Sequence, residues 1–243
     1  MNSQLQAVME RARAKSLAAR AEDEKKQTGP KSQTAGETLS RELFKPVPSD
    51  EFLETHGIFK RFRGVTFESI AARGVPEQVL GQWQVASRYA DRLKENIDRG
   101  RGLILAGAPG LMKTTLAVAI LRRLLDTDAR GSGYMLPMAS LLDNLYTMRM
   151  RDREEAARYE ERLRKADLLV LDDLGGENTA QSWVLAKVDS IITERYNRML
   201  PVIVTTNLGK TDLNGTYGSR ILDRLRSTSQ FVLFQGASLR KTQ

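Results

Sequence analysis

Gly107-Ala108-Pro109-Gly110-Leu111-Met112-Lys113-Thr114-Thr115 is the stretch on which the reading of this chain turns. It follows the apolar run Leu103-Ile104-Leu105-Ala106 and leads into helix-forming residues that continue to about Leu125. A glycine-bearing turn between a buried strand and a helix is the setting a phosphate-binding loop requires. Glycines let the backbone wrap an anion without Cβ clashes, and the free N–H groups of a helix start attract negative charge. Lys113 is then placed to reach the β- and γ-phosphates of ATP, and the Thr114 hydroxyl to ligate Mg²⁺. Gly107 through Thr115 are therefore the candidate ATP-binding residues. One position departs from the pattern G-x-x-x-x-G-K-[ST]: Met112 stands where glycine is asked for. Its side chain either crowds the loop or projects outward, so nucleotide binding with slow hydrolysis is the expectation.

Downstream, Asp167-Leu168-Leu169-Val170-Leu171-Asp172-Asp173-Leu174-Gly175 reads as a buried strand ending in two acids. At the carboxyl end of a parallel strand, Asp172 can hold Mg²⁺ and Asp173 can orient or activate an attacking water. Such a strand is unspecific alone and becomes informative behind a phosphate loop. A third strand, Pro201-Val202-Ile203-Val204-Thr205-Thr206-Asn207, also ends in polar groups. Asn207 or Thr206 could touch the γ-phosphate or the water; a strand simply running into a polar turn is the other reading.

Working outward, helix signals cover roughly 76–98, 113–125, 140–165, 180–198 and 217–227. Apolar strands are expected at 103–106, 134–137, 168–171, 202–205 and 231–234. Strands that alternate with helices and are apolar on both faces predict an α/β fold with a parallel sheet flanked by helices. Before it, residues 2–27 read as a small charged helix with a narrow stripe at Leu5, Val8, Met9 and Ala12, either solvated or docking a partner. Gly29-Pro30 stops that helix, and a linker runs to residue 50. The expected organisation is thus a docking segment over 1–50 and an ATP-binding domain over 51–243. Phe59, Phe62 and Phe67 sit among Lys60, Arg61 and Arg63, which suits a strap packed on the domain or a nucleic-acid surface.

Bulk composition narrows the chemistry. The 243 residues contain no cysteine, which removes disulfides, zinc ribbons and thiol catalysis. His56 is the single histidine, so neither a histidine triad nor a multi-histidine metal site is available. The net charge of +8 raises nucleic acid as a partner. No apolar run nears the ~20 residues that span a bilayer, and the first twenty residues carry no apolar signal core. A cytoplasmic protein without a membrane partner is expected. The segment Arg149, Arg151, Arg153, Arg158, Arg162, Arg164 and Lys165 is basic but interspersed with Asp152, Glu154, Glu155, Glu160 and Glu161, which favours a solvated helical face.

Together, the phosphate loop, Asp167 to Gly175, the strand from Pro201 to Leu208, Tyr217-Gly218-Ser219-Arg220-Ile221-Leu222-Asp223-Arg224-Leu225 and the closing Gly236-Ala237-Ser238-Leu239-Arg240 resemble the AAA+ family. The resemblance is to its bacterial helicase-loader branch (DnaC/DnaI type), with the insertion-sequence helper IstB as a relative, and runs from about Phe67 to Arg240. It implies an AAA+ P-loop NTPase core and roles that spacing does not assign. Arg220, or alternatively Arg224, resembles the arginine finger given to a neighbouring subunit's ATP; without the family the pair reads as a solvated helix face with Asp223 as its acid. Arg240 resembles the sensor-2 arginine, and Ser140, near a channel-facing junction, could bond a phosphate. The implied function is an ATPase that loads a replicative DNA helicase onto single-stranded DNA and forms a homo-oligomer through its ATP site. The alternatives are an IstB-like helper that binds DNA and a transposase, or a nucleotide-binding adaptor with negligible turnover.

Overall fold

The computed structural model describes residues 48–127, 132–176 and 182–240. The helix expected over 2–27 and nearly all of the expected linker lie outside them. The described chain opens with helix α1 (Asp50–Thr55), capped by the Ser49 hydroxyl, and helix α2 (Phe67–Ala72), closed by a capping box between Thr66 and Ser69. Helices α3 (Leu80–Asp91) and α4 (Leu93–Asp98) follow, so the single expected helix over 76–98 is interrupted near Arg92. Then come strand β1 (Gly102–Gly107), helix α5 (Lys113–Thr127), strand β2 (Gly133–Pro137), and helices α6 (Met138–Arg151) and α7 (Arg153–Lys165). Strand β3 (Leu168–Leu174), helix α8 (Ser182–Asn197), strand β4 (Val202–Thr206), helix α9 (Lys210–Thr228) and strand β5 (Ser229–Phe234) complete it.

The five strands form one parallel sheet in the order β2-β3-β4-β1-β5. Successive side chains of a strand point to opposite faces. Leu103 and Leu105 of β1 accordingly join one core, with α3 and α5, while Ile104 and Ala106 join the other, with α6, α8 and α9. The same division separates Leu168 and Val170 from Leu169 and Leu171 in β3. Burial on both faces is why the runs Leu103–Ala106 and Leu168–Leu171 are apolar at every position.

The helical stretches expected from 140 to 165 meet at Asp152, whose backbone is extended and whose carboxylate accepts the N–H groups of Glu154 and Glu155. That is an N-cap inside a charged run, where periodicity gives no signal. The helix expected at 217–227 begins at Lys210 and is interrupted at Gly218, whose φ of 81° and ψ of 161° are not helical. Gly218 thereby sets the second half of α9, with Arg220 and Arg224, on its own course.

The segment before the sheet packs on the domain. Leu53, Ile58, Val65, Phe67 and Ile70 are buried in the core shared with α5, and Phe62 is partly buried against it. The Arg122 guanidinium donates to the Arg63 carbonyl at 2.6 Å, fastening the strap to α5. Phe59 remains half exposed.

Candidate functional site

The loop between β1 and α5 is shaped by three residues with left-handed backbone. Gly107 has φ 141°, Gly110 82° and Met112 64°. At Gly107 a Cβ would lie 2.1 Å from the Phe234 carbonyl oxygen, so only glycine fits there. Met112 takes a conformation that costs a non-glycine residue roughly 1 kcal/mol or more. Its side chain is partly buried and packs against the core beside α5.

Lys113 is itself almost fully buried and folds back on its own loop. Its ammonium donates to the carbonyls of Gly107 (2.6 Å) and Ala108 (2.8 Å) and to Asn207 Oδ1 (3.0 Å). Burial pulls the lysine pKa below its ordinary value, opposed by the charges of Asp173 and Asp172. Asp172 Oδ1 accepts from the hydroxyls of Thr114 (2.9 Å) and Thr205 (2.6 Å). Burial raises the Asp172 pKa, and the hydrogen bonds from Thr205 and Thr114 only partly offset it. Asp173 has φ 58°, and β3 breaks register with β4 between Leu171 and Leu174. Irregularity at the end of a strand re-aims its side chain; here Asp173 Oδ1 accepts from the Asn207 amide at 2.8 Å.

These groups border a cavity of about 710 Å³, together with Pro109 to Thr115 and Arg240. Its other wall is Phe62, Val65, Ile70 and Pro76 from the strap, with Arg61 and Arg73 beside them. The volume and the apolar wall suit a purine nucleotide. Among the described residues no group of three His, Cys, Asp or Glu could hold a metal alone. A Mg²⁺ here would use Asp172, Thr114 and phosphate oxygens, which fits a half-buried acid that accepts from two hydroxyls.

The C-terminal residues close one side of the loop. The Leu239 N–H donates to the Gly110 carbonyl at 3.1 Å, and the Gln78 amide donates to the Ala237 carbonyl at 2.9 Å. Arg240 thus borders the cavity, whereas Arg220 and Arg224 do not. Both of these pair with Asp189 on α8, Arg224 at 3.0 Å, rather than with Asp223.

Of the two polar residues singled out at the end of β4, only Asn207 faces the site. The Thr206 hydroxyl donates to the Leu174 carbonyl at 2.6 Å, away from the cavity. Thr205 occupies that face instead, and sequence reasoning passed over it. Period-two alternation was the available signal, since residues 205 and 207 share a face. The strap wall and Asp189 had no comparable signal. In the basic segment over 149–165, Arg158, Arg164 and Lys165 pair with Glu154, Glu160 and Glu161 of their own helix, while Ser140 is exposed on the first turn of α6. No helix among the described residues is long and apolar enough to cross a membrane.

Comparison with known proteins places the chain among relatives. An uncharacterized protein of Bacillus subtilis (strain 168), YqaM, is 27% identical over 68% of this chain and 54% of its own length. The putative ATP-binding protein of insertion sequence IS21 from Pseudomonas aeruginosa is 28% identical over 59% of this chain and 54% of its own. The chain therefore spans about half the length of these curated relatives. The crystal structure of the DnaC helicase loader superposes with a TM-score of 0.62 at 23% identity, covering 72% of this chain and 99% of that one. The fold is accordingly that of the AAA+ ATPases. The family model of the IstB-like ATP binding proteins matches residues 84–243, more than half of the chain and all of its phosphate-site residues, and the chain belongs to that family.

Proposed function

We propose that this protein is an ATP-driven assembly switch that loads a replicative DNA helicase onto single-stranded DNA. The observation that carries the switch is the division of the site's cations. Lys113 and Arg240 border the nucleotide cavity, while Arg220 and Arg224 stand outside it on α9. A guanidinium stabilises the charge that develops on a transferring phosphoryl group. Arginines outside their own cavity can serve that purpose only for a neighbouring subunit, so ATP joins subunits head to tail.

Within one subunit, the chain's own residues divide the work. Lys113 exchanges its carbonyl partners for the β- and γ-phosphates, and the loop N–H groups hold their oxygens. Thr114 and Asp172 would hold Mg²⁺, which would supply neutralisation of the phosphate charge. Asp173 orients the water, and Asn207 sets the direction of Asp173. Hydrolysis is slow, because aspartate is short for this task and Asn207 occupies one of its oxygens.

A second reading keeps the switch and changes the cargo. The IS21 relative and the family model support a transposition helper that binds DNA and a transposase. Affinity capture of the full-length chain with ATP separates the two: a replicative helicase in the eluate supports loading, and a transposase alone overturns it. Lys113→Ala serves as the control and should lose ATP binding in calorimetry; tight binding by that variant would refute the site. An Asp173→Asn variant whose turnover equals wild type would point to an adaptor without catalysis.

A further inference from the structure

Two arginines of α9 share one carboxylate. Arg220 pairs with Asp189 Oδ2, and Arg224 donates to Asp189 Oδ1 at 3.0 Å. The Thr193 hydroxyl, one turn along α8, donates to the same Oδ1 at 3.1 Å. Positions i and i+4 lie on one helix face, so the two guanidinium groups approach the acid side by side. Their surroundings differ. The Arg224 side chain is 22% exposed and that of Asp189 24%, whereas Arg220 is 70% exposed. An exposed ion pair is worth only ~0–1 kcal/mol. Arg220 is thus held in direction but weakly, while Arg224 is held by packing as well. Gly218, two residues earlier, breaks the helix and frees this turn from the first half of α9.

We infer that Asp189 is a positioning residue of the subunit-shared ATP site: it fixes Arg224 as a strut and aims Arg220 at the γ-phosphate bound by the neighbouring subunit. The inference rests on the proposal that the site is completed in trans. A triphosphate carries several charges and out-competes a lone carboxylate that is already shared with Arg224. Arg220 can therefore pass from Asp189 to phosphate while Arg224 stays. The carboxylate also keeps two like charges together in the unassembled subunit, where no phosphate offsets their repulsion.

The test is complementation between full-length variants, read by ATP turnover and by ATP-dependent assembly in sedimentation. Asp189→Asn keeps shape and removes charge. It should lower turnover about tenfold or more, within the ~10³-fold that a finger can supply, while nucleotide affinity and melting temperature stay near wild type. Asp189→Glu should recover part of the loss. Mixing Asp189→Asn with Lys113→Ala should restore turnover, because the second variant has intact arginines and the first an intact loop. Arg220→Ala mixed with Lys113→Ala tests the shared site itself. If that mixture recovers and the Asp189→Asn mixture does not, the loss lies outside finger placement and the inference falls. Wild-type turnover by Asp189→Asn alone also overturns it. If neither mixture recovers, the shared site is refuted and the inference goes with it.

Discussion

The side-chain amide of Asn207 donates to Asp173 Oδ1 at 2.8 Å, and its carbonyl oxygen accepts from the Lys113 ammonium at 3.0 Å. One residue just past β4 thereby contacts both the phosphate-loop lysine and the second acid of β3. The amide has one workable orientation, since the reverse would set its NH₂ group against an ammonium. When Lys113 turns to phosphate, Asn207 loses a donor and keeps its grip on Asp173. Asn207→Ala should therefore leave nucleotide affinity within a few-fold of wild type and lower turnover about tenfold to 100-fold, the scale of a catalytic group misplaced by an ångström. Calorimetry and a phosphate-release assay check the two halves; unchanged turnover would remove Asn207 from the reaction.

Away from the site, Glu160 of α7 accepts from Lys187 (2.7 Å) and Arg164 (3.2 Å), all three side chains being less than one fifth exposed. Burial works to raise the Glu160 pKa, but the bonds and charges of Lys187 and Arg164 outweigh it and hold the carboxyl below its ordinary 4.5. A folded-state pKa that is depressed means stability present above the unfolded value and lost as pH falls through the folded one. Glu160→Gln should cost about 1–2 kcal/mol at neutral pH. The gap from wild type should close in acid, as measured by urea unfolding across pH. A gap that widens in acid would show the sign to be wrong.

Much of this molecule was legible in the chain because its signals are local. The turn from Gly107 to Thr115 and the acids ending β3 announce their chemistry by type and spacing, and five apolar runs announce a doubly covered sheet. Other features depend on contacts between distant segments. Phe62, Val65 and Ile70 become a cavity wall only when the strap folds across α5. Asp189 is one acid among many on a helix until α9 brings two arginines to it. Gly218 looked compatible with a helix running from 217, since an isolated glycine weakens a helix without forbidding it.

Met112 offers a test of the loop's backbone rather than its charge. Its φ of 64° penalises every residue but glycine, while its side chain packs on the core. Glycine would relieve strain and lose packing, two effects of about 1 kcal/mol each. Alanine keeps the strain and also loses the packing. The expected order of stability is therefore Met112→Gly close to wild type and Met112→Ala below both by about 1 kcal/mol. Thermal unfolding of the three proteins without nucleotide measures it. An alanine variant as stable as the glycine one would mean that the left-handed backbone at residue 112 is not required.

Thr205 is the residue on which the two acids of β3 depend together. Its buried hydroxyl donates to Asp172 Oδ1 at 2.6 Å and accepts from the Asp173 N–H at 2.9 Å. Valine matches threonine in shape and removes both bonds, leaving the half-buried Asp172 carboxylate with one donor fewer and the Asp173 N–H without its acceptor. Asp172 would then turn more freely, and the strained backbone at Asp173 would lose its tether. Thr205→Val should raise the Mg²⁺ concentration needed for half-maximal turnover several-fold, whereas Thr205→Ser, which keeps the hydroxyl, should follow wild type. Nucleotide affinity measured with EDTA should be the same in all three, because Thr205 would act on the nucleotide through the Mg²⁺ that Asp172 holds. If valine and serine variants share one Mg²⁺ dependence, the hydroxyl is not what holds Asp172, and packing at the end of β4 alone sets its position.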